Sequence, residues 1–307
     1  MIDSTRVIAA ILSTPKEVAR EPAARLVDAW VDRCVEEDAR RFKVLDVERP
    51  FFMWLDDHTL IVGCNDLIAE DELGVFGGEW KTRRAPRVTK AGVFYKGDGP
   101  EAWLAEIRGG IQVAIYAAAI QAKYGGRGRI LVRCVTKADV PEIWPVNPDD
   151  GQLTFTFAYL GAVRGTLRSR AAQIQAARQA GHLPWQWTGR HCKAGSEYEC
   201  RAYGACSMLE YPADIGGLFS PTDPGAKAIA ESGADLSDPE LVILSASAYE
   251  TGTDCLEKYR QTSMGALVED SLALDVGTAF HAGIAEVYRM VKEGQNATII
   301  NGKETAF

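Results

Sequence analysis

Residues 58–84 have the sequence HTLIVGCNDLIAEDELGVFGGEWKTRR, and this stretch decides the fold. Apolar and β-branched residues cluster or alternate along HTLIVGCNDLIAE and ELGVFGGEWKTRR. The short polar turn EDELG connects the two stretches. Runs of this length bounded by polar turn residues are typical of successive antiparallel strands. The stretch therefore predicts two paired strands that carry charged residues, with Asp66 on the first strand and Glu79 and Lys81 on the second.

The flanking sequence predicts that these strands belong to a mixed sheet covered by helices. Apolar residues recur at helical spacing in 5–40 and 101–124, and a long helical pattern from 163 ends at Gly181. Further strand patterns lie at 42–55, 126–137 and 152–160. This order indicates an α/β fold with a mixed central β-sheet of about four or five strands flanked by helices.

Composition indicates a soluble globular protein. The chain has 307 residues, of which 47% are hydrophobic, and a formal net charge of -8. It contains no run of roughly 18 to 20 apolar residues and no basic signal-peptide start, so we expect a cytoplasmic protein without a membrane partner. The negative charge argues against a protein that coats nucleic acid, but it allows local contacts with DNA.

Basic residues cluster in two places that are candidates for such contacts. The alternative is that each cluster is an ordinary solvated face. The clusters are Arg83, Arg84, Arg87, Lys90 and Lys96, and then Arg164, Arg168, Arg170 and Arg178.

Asp66, Glu79 and Lys81 form the candidate catalytic site. Glu79 and Lys81 are two residues apart on a predicted strand, so both project from one face while Trp80 points to the other. The turn allows Asp66 to lie beside Glu79, and the two carboxylates would repel each other unless a divalent cation joined them. Hard oxygen ligands suit Mg²⁺ or Mn²⁺, which polarise a phosphoryl oxygen and activate a bound water.

Lys81 would position that water or balance the charge that develops on the phosphate. The chemistry that this arrangement supports is phosphodiester hydrolysis. The motif E-x-K is common, however, and the alternative is an exposed Glu and Lys pair on an ordinary strand.

Several separate motifs resemble those of the RecB-like branch of the PD-(D/E)XK nucleases. In that family a strand ends in G-x-x-D, the next strand carries (D/E)-x-K-T, and a following helix bears Q-x-x-x-Y. The matching pieces here are Gly63 to Asp66, Glu79 to Thr82, and Gln112 with Tyr116. The resemblance implies a restriction-endonuclease-like core, and it implies that Gln112 and Tyr116 flank the active site, where they contact DNA or support the lysine. We predict that Thr82, Arg83 and Arg84 also contact DNA.

The motifs that usually open the family's domain come last in this chain. They are Ser245, Ser247, Cys255, Lys258 and Tyr259, followed by Gly277, Thr278 and His281 in the pattern G-T-x-x-H. Either the domain is circularly permuted, or the last residues begin a truncated second copy. Permutation needs fewer parts and is physically tolerable, since chain ends often lie close together. The resemblance then implies that His281 joins Asp66 and Glu79 as a metal ligand.

A Cys-rich segment at 184–224 has no clear hydrophobic period. It carries three cysteines in the pattern C-x7-C-x5-C, which indicates a soft-metal or iron-sulfur site because thiolates prefer such ions. The resemblance supplies a fourth ligand and implies a 4Fe-4S cluster held by Cys192, Cys200, Cys206 and Cys255. The alternatives are zinc, with His191 as a possible ligand, and free cysteines. Cys34, Cys64 and Cys134 lie in apolar stretches and are predicted to be buried.

We divide the chain into a nuclease core at 1–183, a Cys-rich cap and linker at 184–240, and a segment at 241–307 that completes the same domain. The predicted function is that of a metal-dependent deoxyribonuclease, most simply an exonuclease in recombination, repair or phage DNA metabolism. No G-x-x-x-x-G-K-[ST] motif occurs, so DNA unwinding would need a helicase or recombination partner. The alternatives are a catalytically inactive DNA-binding or assembly module with the same fold, and a zinc-stabilised interaction protein.

Overall fold

The computed structural model describes residues 2–14, 16–90, 94–95, 99–145, 147–179, 224–245 and 272–294. Within these residues the fold is α/β, with a mixed seven-stranded sheet flanked by helices. The strands are β1 (Lys43–Asp56), β2 (Thr59–Asp71), β3 (Gly74–Arg84), β4 (Gly128–Lys137), β5 (Ile143–Trp144), β6 (Gln152–Phe155) and β7 (Val242–Leu244).

The sheet has the order β1-β2-β3-β4-β5, with β6 also paired to β4 and β7 to β2. The β2–β3 pair is antiparallel, whereas β3 runs parallel to β4 and β2 runs parallel to β7. The sequence predicted fewer strands because β5 and β7 have only two and three residues. Segments this short give almost no periodic signal.

The described helices are α1 (Ser4–Leu12), α2 (Arg20–Trp30), α3 (Glu36–Arg41), α4 (Pro100–Gly109), α5 (Ile111–Tyr124), α6 (Phe157–Gln179), α7 (Pro224–Ser232) and α8 (Leu272–Lys292). A π-helical turn, Val31–Val35, joins α2 to α3. The helical pattern at 101–124 is divided at Gly110, whose extended backbone ends α4 and starts α5. Glycine is a poor helix former, which explains a break at this position.

The strand predicted at 152–160 is wrong in its second half. β6 ends at Phe155 and α6 begins at Phe157. Burial shows the reason, because Leu160, Val163 and Leu167 are buried at helical spacing whereas Phe157 is 65% exposed. The apolar stripe of a long helix outweighs a short alternating run. The predicted end of this helix, at Gly181, lies outside the described residues.

The chain divides into two compact units. The first contains Met1–Arg49, Asn65–Phe157 and Asp270–Phe307, and the second contains Pro50–Cys64 and Ala158–Glu269. The second unit has a small apolar cluster that includes Leu60, Ala228 and Leu241. In this unit His58 Nδ1 also lies 3.1 Å from Asp238 Oδ2.

The first unit contains the larger core, in which α8 packs against α1 and α2. Gly283 permits this close packing, since a Cβ there would lie 2.8 Å from Val27 Cγ2. Ion pairs surround the contact, and one of them joins Arg6 to Glu286 at 2.6 Å. Helix α8 is therefore held closely by residues near the other end of the sequence.

None of the described helices combines the length and the apolar character that crossing a bilayer requires.

Candidate active site

Strands β2 and β3 bring Asp66 and Glu79 together. Their register places Leu67 opposite Gly78. Because the strands are antiparallel, the next positions along them, Asp66 and Glu79, lie side by side. The backbone N–H of Trp80 donates a hydrogen bond of 2.7 Å to Asp66 Oδ2. This bond fixes the Asp66 carboxylate against the strand that carries Glu79 and Lys81.

A hydrogen-bonded chain connects β3 to α5. Lys81 Nζ forms an ion pair with Glu79 Oε1 and donates to Gln112 Oε1 at 3.0 Å. The Gln112 amide nitrogen lies 3.0 Å from Glu79 Oε1 and 3.2 Å from the Tyr116 hydroxyl. Because Gln112 and Tyr116 are four residues apart, they share one face of α5. Glu79, Lys81, Gln112 and Tyr116 therefore form one polar cluster.

Helix α8 adds His281 to this cluster. Its Nδ1 lies 3.5 Å from Asp66 Oδ1, and about a third of the His281 side chain is exposed. The helix also approaches β3, since a Cβ on Gly277 would lie 3.2 Å from Thr82 Oγ1. The structure thus brings His281 to Asp66 even though the two residues are far apart in sequence.

The pKa of the Glu79 carboxyl is raised by its surroundings. Only 3% of the residue is exposed. Burial, and then repulsion from Asp66, raise its pKa to about 7 against the attraction of Lys81 and His281. At His281 burial disfavours the imidazolium, but attraction to Asp66 and Glu79 outweighs it and raises the pKa. The Lys81 ammonium and the His281 imidazole therefore lie where they attract the two carboxylates, and burial is the main cause that disfavours the charged form of Glu79.

A divalent cation suits this set of donors. The carboxylates of Asp66 and Glu79 are hard oxygen ligands that suit Mg²⁺ or Mn²⁺, whereas the His281 imidazole suits softer cations better. Burial is the main cause of the raised pKa of Glu79, and the repulsion from Asp66, its second cause, is the part that a cation would relieve. In the described part of the chain, however, no three His, Cys, Asp or Glu side chains form a ready metal cage. Glu79 is instead paired with Lys81, so binding would require a cation to compete with that ammonium group.

Three of the five predicted DNA contacts lie at the end of β3, and the other two, Gln112 and Tyr116, lie on α5. Thr82 is partly buried, Arg83 pairs with Glu106 at 3.4 Å, and Arg84 is exposed. In the second basic cluster Arg170 is buried and Arg168 donates to the Leu55 carbonyl at 2.6 Å. That cluster is therefore only partly a solvated face.

The predicted iron-sulfur ligands Cys192, Cys200, Cys206 and Cys255 lie outside the described residues. Of the cysteines predicted to be core residues, Cys34 and Cys134 are buried and Cys64 is only partly buried.

Sequence reasoning missed a buried polar group near the site. Asp38 Oδ2 accepts a hydrogen bond of 2.6 Å from Arg133 and another from the Tyr288 hydroxyl. One signal was available, since Tyr288 lies seven residues after His281 and therefore on nearly the same helix face. The pairing of Asp38 with Arg133 spans 95 residues, and no local pattern indicates it.

We compared the chain with protein-family models, curated proteins and solved structures, and none of the three comparisons gave a match.

Proposed function

We propose that this protein is a metal-dependent nuclease of the PD-(D/E)XK type that hydrolyses phosphodiester bonds in DNA, acting as an exonuclease. One observation carries the proposal: Asp66, Glu79, Lys81, Gln112 and His281 converge from β2, β3, α5 and α8. Asp66, Glu79 and Lys81 lie on two adjacent strands, whereas Gln112 and His281 come from helices farther along the chain, and this meeting of separate motifs supports the proposal.

The proposed metal ligands are Asp66, Glu79 and His281. When bound, Mg²⁺ or Mn²⁺ supplies a polarised phosphoryl oxygen and a water of lowered pKa. Trp80 holds Asp66 through its backbone N–H, and Gln112 holds both Glu79 and Lys81. Two of the three proposed ligands, Asp66 and Glu79, therefore have a protein partner that fixes their orientation, as effective metal sites require.

Lys81 supplies the positive charge that the reaction needs. Hydrolysis forms a bond from water oxygen to phosphorus and breaks a phosphorus–oxygen bond, while negative charge develops on the phosphate oxygens. The Lys81 ammonium, held by Glu79 and Gln112, is placed to stabilise that charge or to position the water.

The finer fold assignment belongs to the same proposal. We propose that the sheet is a restriction-endonuclease-like core, and that the Cys-rich segment forms a cap with a 4Fe-4S cluster. Iron analysis and absorbance near 400 nm of anaerobically purified protein, with zinc analysis beside them, test the cluster. Zinc in place of iron would refute it.

The proposed activity is tested with end-labelled DNA in the presence of Mg²⁺ or Mn²⁺. We expect metal-dependent degradation by the wild type and a loss of at least about a hundredfold in Lys81→Ala, a typical effect of removing an electrostatic catalytic group. Lys123→Ala is the matched control, because it removes the same charge from an exposed position on α5.

A catalytically inactive DNA-binding module is the competing function. The ion pair between Lys81 and Glu79 favours it, because that pair occupies one proposed metal ligand. Wild-type protein that binds DNA but leaves it intact with either metal would support the module and refute the nuclease.

A further inference from the structure

A buried ionic group lies within the core of the first unit. Asp38 of α3, Arg133 of β4 and Tyr288 of α8 are at most 2% exposed. Arg133 Nη1 donates to Asp38 Oδ2 at 2.6 Å, the Tyr288 hydroxyl donates to the same oxygen, and Trp30 Nε1 donates to that hydroxyl at 3.3 Å. The group joins a helix near one end of the sequence, a central strand and the helix that carries His281.

This group is poorly suited to adding stability. Taking both charges from water is costly, and such a pair can often be replaced by apolar residues without loss of stability. Asp38 Oδ1 is also buried without a hydrogen-bond partner among the described residues. Burial raises the pKa of the Asp38 carboxyl, while Arg133 and Tyr288 oppose that rise. A costly buried group of this kind is better explained by the specific arrangement that it imposes.

An aromatic cluster connects the ionic group to the site. The Tyr288 ring stacks on Trp80 with centroids 5.7 Å apart, and Trp30 meets Trp80 edge to face at 5.1 Å. Trp80 lies between Glu79 and Lys81, and its N–H binds Asp66. On α8, Phe280 packs against Trp30 at 5.6 Å and directly precedes His281.

The helical geometry of α8 links the position of Tyr288 to the position of His281. Seven residues correspond to about two turns, so Tyr288 and His281 lie on nearly the same helix face, roughly 10 Å apart along the axis. A slip of one residue along α8 would turn each side chain by about 100° and shift it by about 1.5 Å. Such a slip would remove His281 from Asp66, and it would also break the bond from Tyr288 to Asp38.

We propose that Tyr288, held by Asp38 and Arg133, is a positioning residue that fixes the rotation and register of α8 and so keeps the His281 imidazole against Asp66. The placement of the imidazole is a property of the protein without metal; its value for metal binding and catalysis rests on the proposed function. Within the described part of the chain, the hydrogen bonds and ring stacking of Tyr288 involve Asp38, Trp30 and Trp80, none of which is a proposed metal ligand.

The test is Tyr288→Phe, which removes the hydroxyl and keeps the ring. Imidazole NMR signals of metal-free protein are recorded, with His281→Gln to assign the His281 signal. We expect the His281 signal to shift and its Nδ1 proton to exchange with water faster, because the imidazole moves away from the Asp66 carboxylate that now lies 3.5 Å from it. The signal of His58, in the second unit, should not move. Tyr124→Phe, at the exposed end of α5, should move neither signal.

A second variant tests the same hydroxyl from its other partner. Trp30→Phe removes the 3.3 Å bond to the Tyr288 hydroxyl and part of the buried indole packing, and it keeps an aromatic ring beside Trp80 and Phe280. It should move the His281 signal in the same direction by a smaller amount. A folded variant of either kind whose His281 signal matches the wild type would overturn the proposal.

Mn²⁺ titration and DNA cleavage separate this proposal from the proposed function. If Tyr288 positions a metal ligand, Tyr288→Phe should bind Mn²⁺ about tenfold more weakly, the lower end of the range for lost supporting contacts. A moved imidazole in a protein that neither binds Mn²⁺ nor cuts DNA would support positioning and refute the nuclease. Full cleavage by Tyr288→Phe with an unmoved imidazole would support the nuclease and refute positioning.

Discussion

The side chain of Gln112 joins the lysine of the candidate site to its most buried acid. Its amide oxygen accepts from Lys81 Nζ at 3.0 Å, and its amide nitrogen donates to Glu79 Oε1 at 3.0 Å. A carboxylate in this position could not donate to Glu79, and an apolar side chain could not bond to either group. The amide therefore holds Lys81 and Glu79 in a fixed relation to each other.

Replacing Gln112 by Ala should lower the rate of DNA cleavage by about 10- to 100-fold, the usual effect of removing a group that orients a metal ligand. Steady-state cleavage of labelled DNA at saturating Mn²⁺ measures the rate. Gln179→Ala, at the exposed end of α6, is the control and should cleave normally. Equal rates for the two variants would show that the amide does not organise the site.

The raised pKa of Glu79 predicts that metal-free protein loses stability as the pH rises. The folded state keeps a proton on Glu79 up to a pKa of about 7, whereas the unfolded state releases it near 4.5. The contribution is therefore fully present below pH 4.5 and lost as the pH rises through about 7, with an upper limit of roughly 3 kcal/mol.

Urea unfolding between pH 4.5 and 8 should show this loss in the wild type and a flatter profile in Glu79→Gln. If the stability of the wild type and of Glu79→Gln changed with pH in the same way, the raised pKa of Glu79 would be contradicted. Metal affinity should change in the opposite direction and increase with pH, since a carboxylate must lose its proton to bind a cation.

Arg83 and Arg84 are predicted to bind DNA phosphates. Replacing both with Ala should weaken binding of different DNA sequences alike and should reduce the slope of log affinity against log salt by about two. Fluorescence anisotropy over a range of salt concentrations, with Ca²⁺ in place of Mg²⁺ to limit cleavage, measures the slope. The exposed Arg40 of α3 provides the control, and an unchanged slope in the double variant would place the DNA elsewhere.

Two helical glycines with different surroundings predict opposite effects of substitution by alanine. Alanine at Gly283 would place a Cβ 2.8 Å from Val27 Cγ2 and 3.1 Å from Ile11 Cγ1, so overpacking should outweigh the gain in helix propensity. We expect a loss of about 1 kcal/mol. Gly165 of α6 has open space around its Cβ position, and alanine there should add about 0.5 to 1 kcal/mol. Thermal unfolding should therefore shift in opposite directions, and a stabilised Gly283→Ala variant would contradict the packing.

The local elements of the site could be predicted from sequence, because their signals are local. Alternation identifies β2 and β3, and the two-residue period explains why Glu79 and Lys81 share a face that Trp80 does not. The spacing of Gln112 and Tyr116 identifies one face of α5. The α/β fold with a mixed sheet was predicted in the same way.

What could not be predicted depends on contacts between distant segments. Apolar spacing in α8 indicates a buried helix face, but it does not reveal that Tyr288 meets Asp38. The backbone bond from Trp80 to Asp66 has no sequence signature, because every residue except proline carries an N–H. Short strands such as β5 depend on their neighbours for pairing, and so they too escape local patterns.

The position of Trp80 between two charged residues also protects the chain against a folding error. Sliding β3 by one residue would exchange its faces, and Glu79 and Lys81 would enter the space beside Trp30 and Tyr288 while an indole entered the polar cluster. Both exchanges would destabilise the fold, since one buries two charges in an apolar region and the other exposes the largest ring of the strand to water. A molecule with β3 in the wrong register would therefore lack a stable core, and few well-folded molecules with a disrupted polar cluster should accumulate.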